Sequence, residues 1–224
     1  MATRCYFNGH VNDASDINLS GSLIGNWDQD TSFLPSRTIS LDEKLTGYSG
    51  TFTCTKTGSV AVRAIGQQFI TNPLDAVTLN FATLKAQFLC REAESDNNAY
   101  LSIAVGYCDS DGSSPTLLFH IDDGTEMDTD AVVSENRQWT AADQTNYSLT
   151  QGQRLIVEIG AFHNNTKNET DNAYIVVLNS NATDLPEDNT STNLYNSWFE
   201  TGDTFTEASG EPATMKLGPM FAFA

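Results

Sequence analysis

Hydrophobic and polar residues alternate along most of this chain with the two-residue period of extended strands. The clearest run is Gly152-Gln153-Arg154-Leu155-Ile156-Val157-Glu158-Ile159-Gly160-Ala161-Phe162. Leu155, Val157, Ile159 and Ala161 fall on one face of a strand, and Arg154, Glu158 and Gly160 on the other. A second β-branched run, Tyr174-Ile175-Val176-Val177-Leu178, follows a loop crowded with Asn, Thr, Asp and Glu. The pair reads as a hairpin with a water-exposed connection.

The same period recurs on both sides. Phe52 and Cys54 share a face, and the run 60–65 after Gly58 reads as their hairpin partner. Residues 68–74 end a strand near Pro73, because the residue before proline prefers an extended backbone. Leu84, Ala86, Phe88 and Cys90 line one face, as do Leu101, Ile103, Val105 and Tyr107. Asp109-Ser110-Asp111-Gly112 turns the chain towards Leu117-Leu118-Phe119-His120-Ile121. Only residues 42–45 and 140–145 suggest a turn of helix. About ten short strands without repeats predict an all-β chain, an antiparallel β-sandwich of jelly-roll type. With no Pro- or Gly-rich linker to divide it, the expectation is one domain over residues 1–205 and a C-terminal arm over 206–224. Extended arms are expected at both ends.

Composition narrows the function. Of 224 residues, 29 are acidic and 11 are Lys or Arg, a net charge of −18. A phosphate backbone repels such a surface, so nucleic acid is excluded as a partner, and anionic membranes are disfavoured for the same reason. No run reaches the ~20 apolar residues of a membrane span, and the N-terminus lacks the apolar stretch of a signal peptide. Folding in a cytoplasm is expected. Cys5, Cys54, Cys90 and Cys108 are widely spaced with no C-x-x-C pair. Buried free thiols are therefore expected, ahead of disulfides or metal ligation.

Candidate chemistry is thin. There is no Gly-x-Ser-x-Gly elbow, and none of His10, His120 and His163 has metal-type spacing. His120 beside Asp122 and Asp123 is the best local cluster, and a hydrogen-bonded strand histidine explains it more simply than a catalytic base. The acidic stretches 109–112 and 122–130 offer hard oxygens for a structural Ca²⁺ without EF-hand spacing, so solvated turns are the simpler reading and no cofactor is expected. Trp27, Trp139, Tyr195 and Trp198 lie in or beside predicted loops, where rings either close the ends of a sandwich or stack on sugars.

Several stretches resemble a family of phage and prophage virion-associated proteins. They are Met1-Ala2-Thr3-Arg4, Tyr6-Phe7, Trp27, Gln68-Phe69, Asn72-Pro73-Leu74, Cys90-Arg91-Glu92 and Asp111-Gly112. The more specific ones are residues 152–160, Asp184-Leu185-Pro186-Glu187-Asp188-Asn189-Thr190 and Trp198-Phe199-Glu200. The resemblance runs from Met1 to Phe205, and residues 122–145 and 210–224 depart from it. It implies a structural protein of the virion, assembled in the host cytoplasm, and not an enzyme. A capsid decoration (cement) protein is the leading expectation. Its partners would be the major capsid protein and neighbouring copies of itself in a homo-oligomer, a trimer being one arrangement. Arg4, Tyr6, Phe7, Met220, Phe221 and Phe223 would then dock. The alternative is a tail-tip or fibre component that binds host carbohydrate through Trp27, Trp139, Tyr195 and Trp198.

Overall fold

The computed structural model describes residues 4–7, 17, 19, 21–23, 27–28, 36–41, 48–81, 84–129, 135–140, 146–179 and 197–209. The chain is all-β, and no α-helix occurs among these residues. In order the strands are β1 (Arg4–Phe7), β2 (Arg37–Ser40), β3 (Tyr48–Gly58), β4 (Val62–Thr71), β5 (Val77–Leu79), β6 (Lys85–Glu92), β7 (Ala99–Cys108), β8 (Thr116–Glu126), β9 (Glu135–Thr140), β10 (Tyr147–Leu149), β11 (Arg154–His163), β12 (Glu169–Asn179) and β13 (Trp198–Glu200).

The pairings are nested. β7 pairs with β8, β6 with β9, β5 with β10, β4 with β11 and β3 with β12, all antiparallel. The chain thus runs out and back as one long ribbon whose tip is the turn at Asp109–Gly112. Two cross-links roll that ribbon up: β12 pairs with β6, and β11 with β7. The result is one layer in the order β3-β12-β6-β9 and another in the order β4-β11-β7-β8. β13, β1 and β2 bridge the layers along one side, with β2 running parallel to β4.

The alternation read from the sequence is what fills the space between the layers. Leu155, Val157, Ile159, Ala161, Leu101, Ile103 and Val105 face Phe52, Cys54, Ala173, Ile175, Ala86, Phe88 and Cys90 in one buried cluster. Phe7 joins the two layers directly, 4.8 Å from the Phe69 ring and 5.0 Å from Phe88. Such aromatic pairs are worth about 0.5–1.5 kcal/mol beyond their buried area.

Two expected hairpins are corrected. β11 and β12 do not pair, and neither do β3 and β4; each couple crosses from one layer to the other. Both edges of β11 are already occupied, by β4 and β7, leaving none for β12. The runs 60–65 and 68–74 merge into the single strand β4. Residues 206–208 are tied to the body: Asp75 N–H donates to Thr206 O and Ala208 N–H to Pro73 O, both bonds within 2.9 Å. Of the two suggested helical turns, residues 42–45 and 141–145 lie outside the described residues, and Thr140 ends β9.

Candidate functional site

The outer face of the β4-β11-β7-β8 layer carries a connected polar constellation. A glycine-lined floor shapes it. A Cβ on Gly160 would stand 2.5 Å from the Trp27 ring and 2.2 Å from Ala64 O, and one on Gly106 would stand 2.9 Å from the Leu23 methyls. Without those carbons Leu23 and Trp27 lie flat on the sheet and, with the other described residues of this stretch, form a strap across it. Leu19 and Leu23 are buried there with Ile70, Ala104, Cys108 and Ile156, and Ile17 and Trp27 pack alongside. This strap is an apolar layer laid over a strand face that periodicity marks as polar.

Glu158 fastens it. The side chain is fully buried, and its two oxygens accept from Leu23 N–H, Trp27 Nε1–H and Gln68 Nε2–H, each at 2.7 Å. Gln68 Nε2 also donates to Gly21 O, and Ser36 Oγ–H donates to Gln68 Oε1. Hydrogen bonds to a charged acceptor contribute about 1.5–3 kcal/mol each, and a buried carboxylate without them would be prohibitive. Trp27 therefore closes the outer face, its ring 5.1 Å from that of His120.

Beyond His120 the network continues. Ser102 Oγ–H donates to Asp122 Oδ1 at 2.7 Å and lies 2.6 Å from His120 Nε2. A hydroxyl has one hydrogen, so His120 Nε2–H is the donor in the second bond, which fixes the tautomer. Asp122 also takes a forked pair from Arg63, at 2.6–3.1 Å. Arg63 in turn packs over the Phe162 ring at 4.8 Å, and its backbone N–H donates to Asp28 Oδ2 at 2.9 Å. Burial lowers the His120 pKa, with Arg63 adding to the effect and Asp122 and Asp28 opposing it. A Ser-His-Asp triad needs the carboxylate on the histidine nitrogen remote from the serine. Here Asp122 and Ser102 share the same nitrogen, and Ser102 is fully buried. The arrangement orients side chains and ties β4 to β8.

A second buried constellation closes one end between the layers. Lys56, on the core face of β3, donates to Asp171 and to Asn165 Oδ1, both at 2.8 Å. Asn165 Nδ2 donates back to Asp171 at 2.7 Å. Lys56 and Asp171 are almost fully buried, so the pair depends on these bonds to offset desolvation. Nearby, Glu92 accepts from Ala99 N–H at 2.9 Å. Burial pushes its pKa up to about 7, and Glu126, Asp96 and Asp128 add repulsion. His163, buried with its Nε2 3.1 Å from Cys54 O, is held below the usual imidazole range by desolvation.

The residues expected to dock or to bind are dispersed. Arg4, Tyr6 and Phe7 are not a free arm, because β1 is an internal strand between β13 and β2. Arg4 Nε donates to Glu200 at 2.9 Å and its guanidinium sits 4.1 Å over the Trp198 ring; Tyr6 and Phe7 are buried. Trp198 is 1% exposed, so it offers no sugar platform, and the Trp27 indole N–H is committed to Glu158. Trp139 lies on β9. Tyr195, Met220, Phe221, Phe223 and the 184–190 motif lie outside the described residues. Of the acidic stretches, Asp111 folds its own turn by accepting from Ser113 N–H, and Asp122 is held by Arg63. Among the described residues no three of His, Cys, Asp and Glu are grouped to hold a metal ion. All four cysteines are buried and none is in a disulfide, and burial pushes the thiol pKa of Cys54 up to about 12 and that of Cys108 to about 11. Glu158 and Lys56 were the sites missed. Each has a sequence signal, a charge inside an apolar or core-facing run.

No family model and no curated protein matches the chain. Among solved structures, two of a CocE/NonD family hydrolase from Staphylococcus aureus align with 93% of it, at 7% and 11% identity and TM-scores of 0.27 and 0.29. The chain spans 35% and 34% of their length. Two structures of infectious bursal disease virus, Gt and Gx strains, align with 96% and 94% of it at 10% identity, covering 66% and 64% of those chains with TM-scores of 0.22 and 0.19. The expectation that the chain is not an enzyme is corrected, because the first of these structures are hydrolases. At TM-scores this low none of the four assigns an activity.

Proposed function

We propose that the chain is a structural protein of a phage virion, a decoration protein that binds the shell of major capsid subunits, and that its two layers form a jelly roll. The observation that carries the proposal is the pair of strand orders, β3-β12-β6-β9 and β4-β11-β7-β8. Eight strands of a rolled antiparallel ribbon, two Greek keys deep, give these orders, and viral capsid and lectin domains share that architecture. Architecture alone does not assign function. The direction comes from the resemblance carried by residues 152–160 and 184–190 and from charge. Among the described residues Arg37, Lys56 and Arg154 are buried, whereas of the carboxylates only Glu92, Glu158 and Asp171 are, which leaves the others to face water or a basic partner. Met220, Phe221 and Phe223 supply the apolar contact to the shell, and neighbouring copies complete a homo-oligomer.

The test is to mix the purified protein with undecorated shells, measure co-sedimentation over a salt series, and locate the added density by electron microscopy. The expected result is saturable binding on the outer shell that weakens as salt rises, since exposed charge is screened within about 10 Å at 0.1 M. Density at the tail tip, with glycan binding lost on Trp139→Ala, would favour the carbohydrate-binding alternative instead. Absence of the protein from every particle surface would overturn both.

A further inference from the structure

A sheet edge presents a row of unpaired backbone groups, and proteins guard long edges with charge, bulges or cover. Among the described residues, β8 and β3 end their layers. The edge of β8 is guarded. Its register against β7 breaks twice, and it carries Asp122, Asp123 and Glu126. β9, the outer strand beyond β6, carries Glu135 and Arg137.

Among the described residues, β3 has none of these guards. It keeps one unbroken register with β12 from Tyr48 to Gly58. Its single charge, Lys56, points into the core and is fully buried there. Its solvent face shows Thr51, Thr53 and Thr55 at two-residue intervals. In a chain of net charge −18 this is a long edge with no carboxylate on it.

The sequence of that edge is also a near-palindrome. Gly50-Thr51-Phe52-Thr53-Cys54-Thr55-Lys56-Thr57-Gly58 reads alike in both directions about Cys54, apart from Phe52 and Lys56. Two antiparallel copies related by a two-fold axis at Cys54 would set Thr53 opposite Thr55, Thr51 opposite Thr57 and Gly50 opposite Gly58. Threonine pairs directly across an antiparallel ladder are favourable. An isologous contact requires this kind of self-complementarity.

We infer that β3 is a self-pairing edge on which a second copy of this chain adds its own β3, antiparallel and in register about Cys54, to join two β3-β12-β6-β9 layers into one continuous sheet. The absence of carboxylates along the edge lets two strongly acidic chains meet there without like charges face to face. The inference is independent of the virion reading, because it concerns the isolated protein.

The experiment has two arms. Sedimentation over a concentration series should give twice the chain mass of 24.4 kDa for the parent protein. For Thr53→Lys/Thr55→Lys it should give the single-chain mass, with circular dichroism unchanged. Like charges facing across a contact cost several kcal/mol, a loss of affinity of about a hundredfold or more. In the second arm, Thr53→Cys and Thr55→Cys proteins are oxidised separately and mixed. The register predicts an interchain disulfide that forms efficiently only in the mixture, because each position faces the other and not itself. The native thiols, all buried, give little background. A parent protein of single-chain mass at every concentration, a dimer indifferent to the lysines, or cross-linking equal in separate and mixed samples would each overturn the inference.

Discussion

Two buried carboxylates show how much the surroundings of one residue decide. Glu158 has three donors within 2.7 Å and holds the strap as an acceptor. Glu92 has one backbone donor and three acidic neighbours, so its pKa is raised from 4.5 to about 7. Because the folded value exceeds the unfolded one, the native state binds the extra proton between them. The stability Glu92 contributes is full below about pH 4.5 and is lost as pH rises through about 7. Glu92→Gln keeps an acceptor for Ala99 N–H and removes the charge. The variant should be more stable than the parent at pH 8 and equal to it near pH 4.5. Urea midpoints at the two pH values test this, and a gap that does not widen with pH would refute it.

At the scale of elements, the strap on the outer face depends on what the strands beneath it lack. Gly160→Ala places a methyl group against the Trp27 ring and Ala64 O, and backbone cannot yield as a flexible side chain can. Overpacking of this kind costs about 1–3 kcal/mol. The expected outcome is a lower urea midpoint with a shift in Trp27 fluorescence as the ring leaves Glu158; an unshifted midpoint would show that the strap is not seated on Gly160. The strands themselves were legible in the sequence, since Leu155, Val157, Ile159 and Ala161 enter the core as their alternation requires. Their partners were not. A five-residue link such as 164–168 serves a hairpin or a crossing between layers equally well, and which one forms depends on whether distant strands already occupy both edges of β11. The site divides the same way. His120 beside Asp122 could be read locally, whereas Ser102 and Arg63 join that cluster from 20 and 59 residues away.

For the whole molecule, the question is what a rolled ribbon with an acidic exterior can grip. The body is closed at its C-terminal end: Phe205 is buried, and residues 206–208 are tied to 73–75. Nothing after residue 209 belongs to the described core, yet the sequence there runs into Met220-Phe221-Ala222-Phe223. If that run docks on the shell, deleting residues 217–224 separates folding from assembly. The truncated protein should keep the parent's unfolding midpoint, because none of the described core is removed. Its binding to shells should fall by about a hundredfold, the loss of roughly 3 kcal/mol expected when two aromatic anchors no longer bury apolar surface. Salt adds an independent reading. Electrostatic attraction between the acidic body and a basic shell should remain in the truncated protein and still weaken as salt rises, whereas the apolar contribution should not. Full affinity after truncation would place the contact on the body, and the sheet faces and edges would then be the surfaces to map.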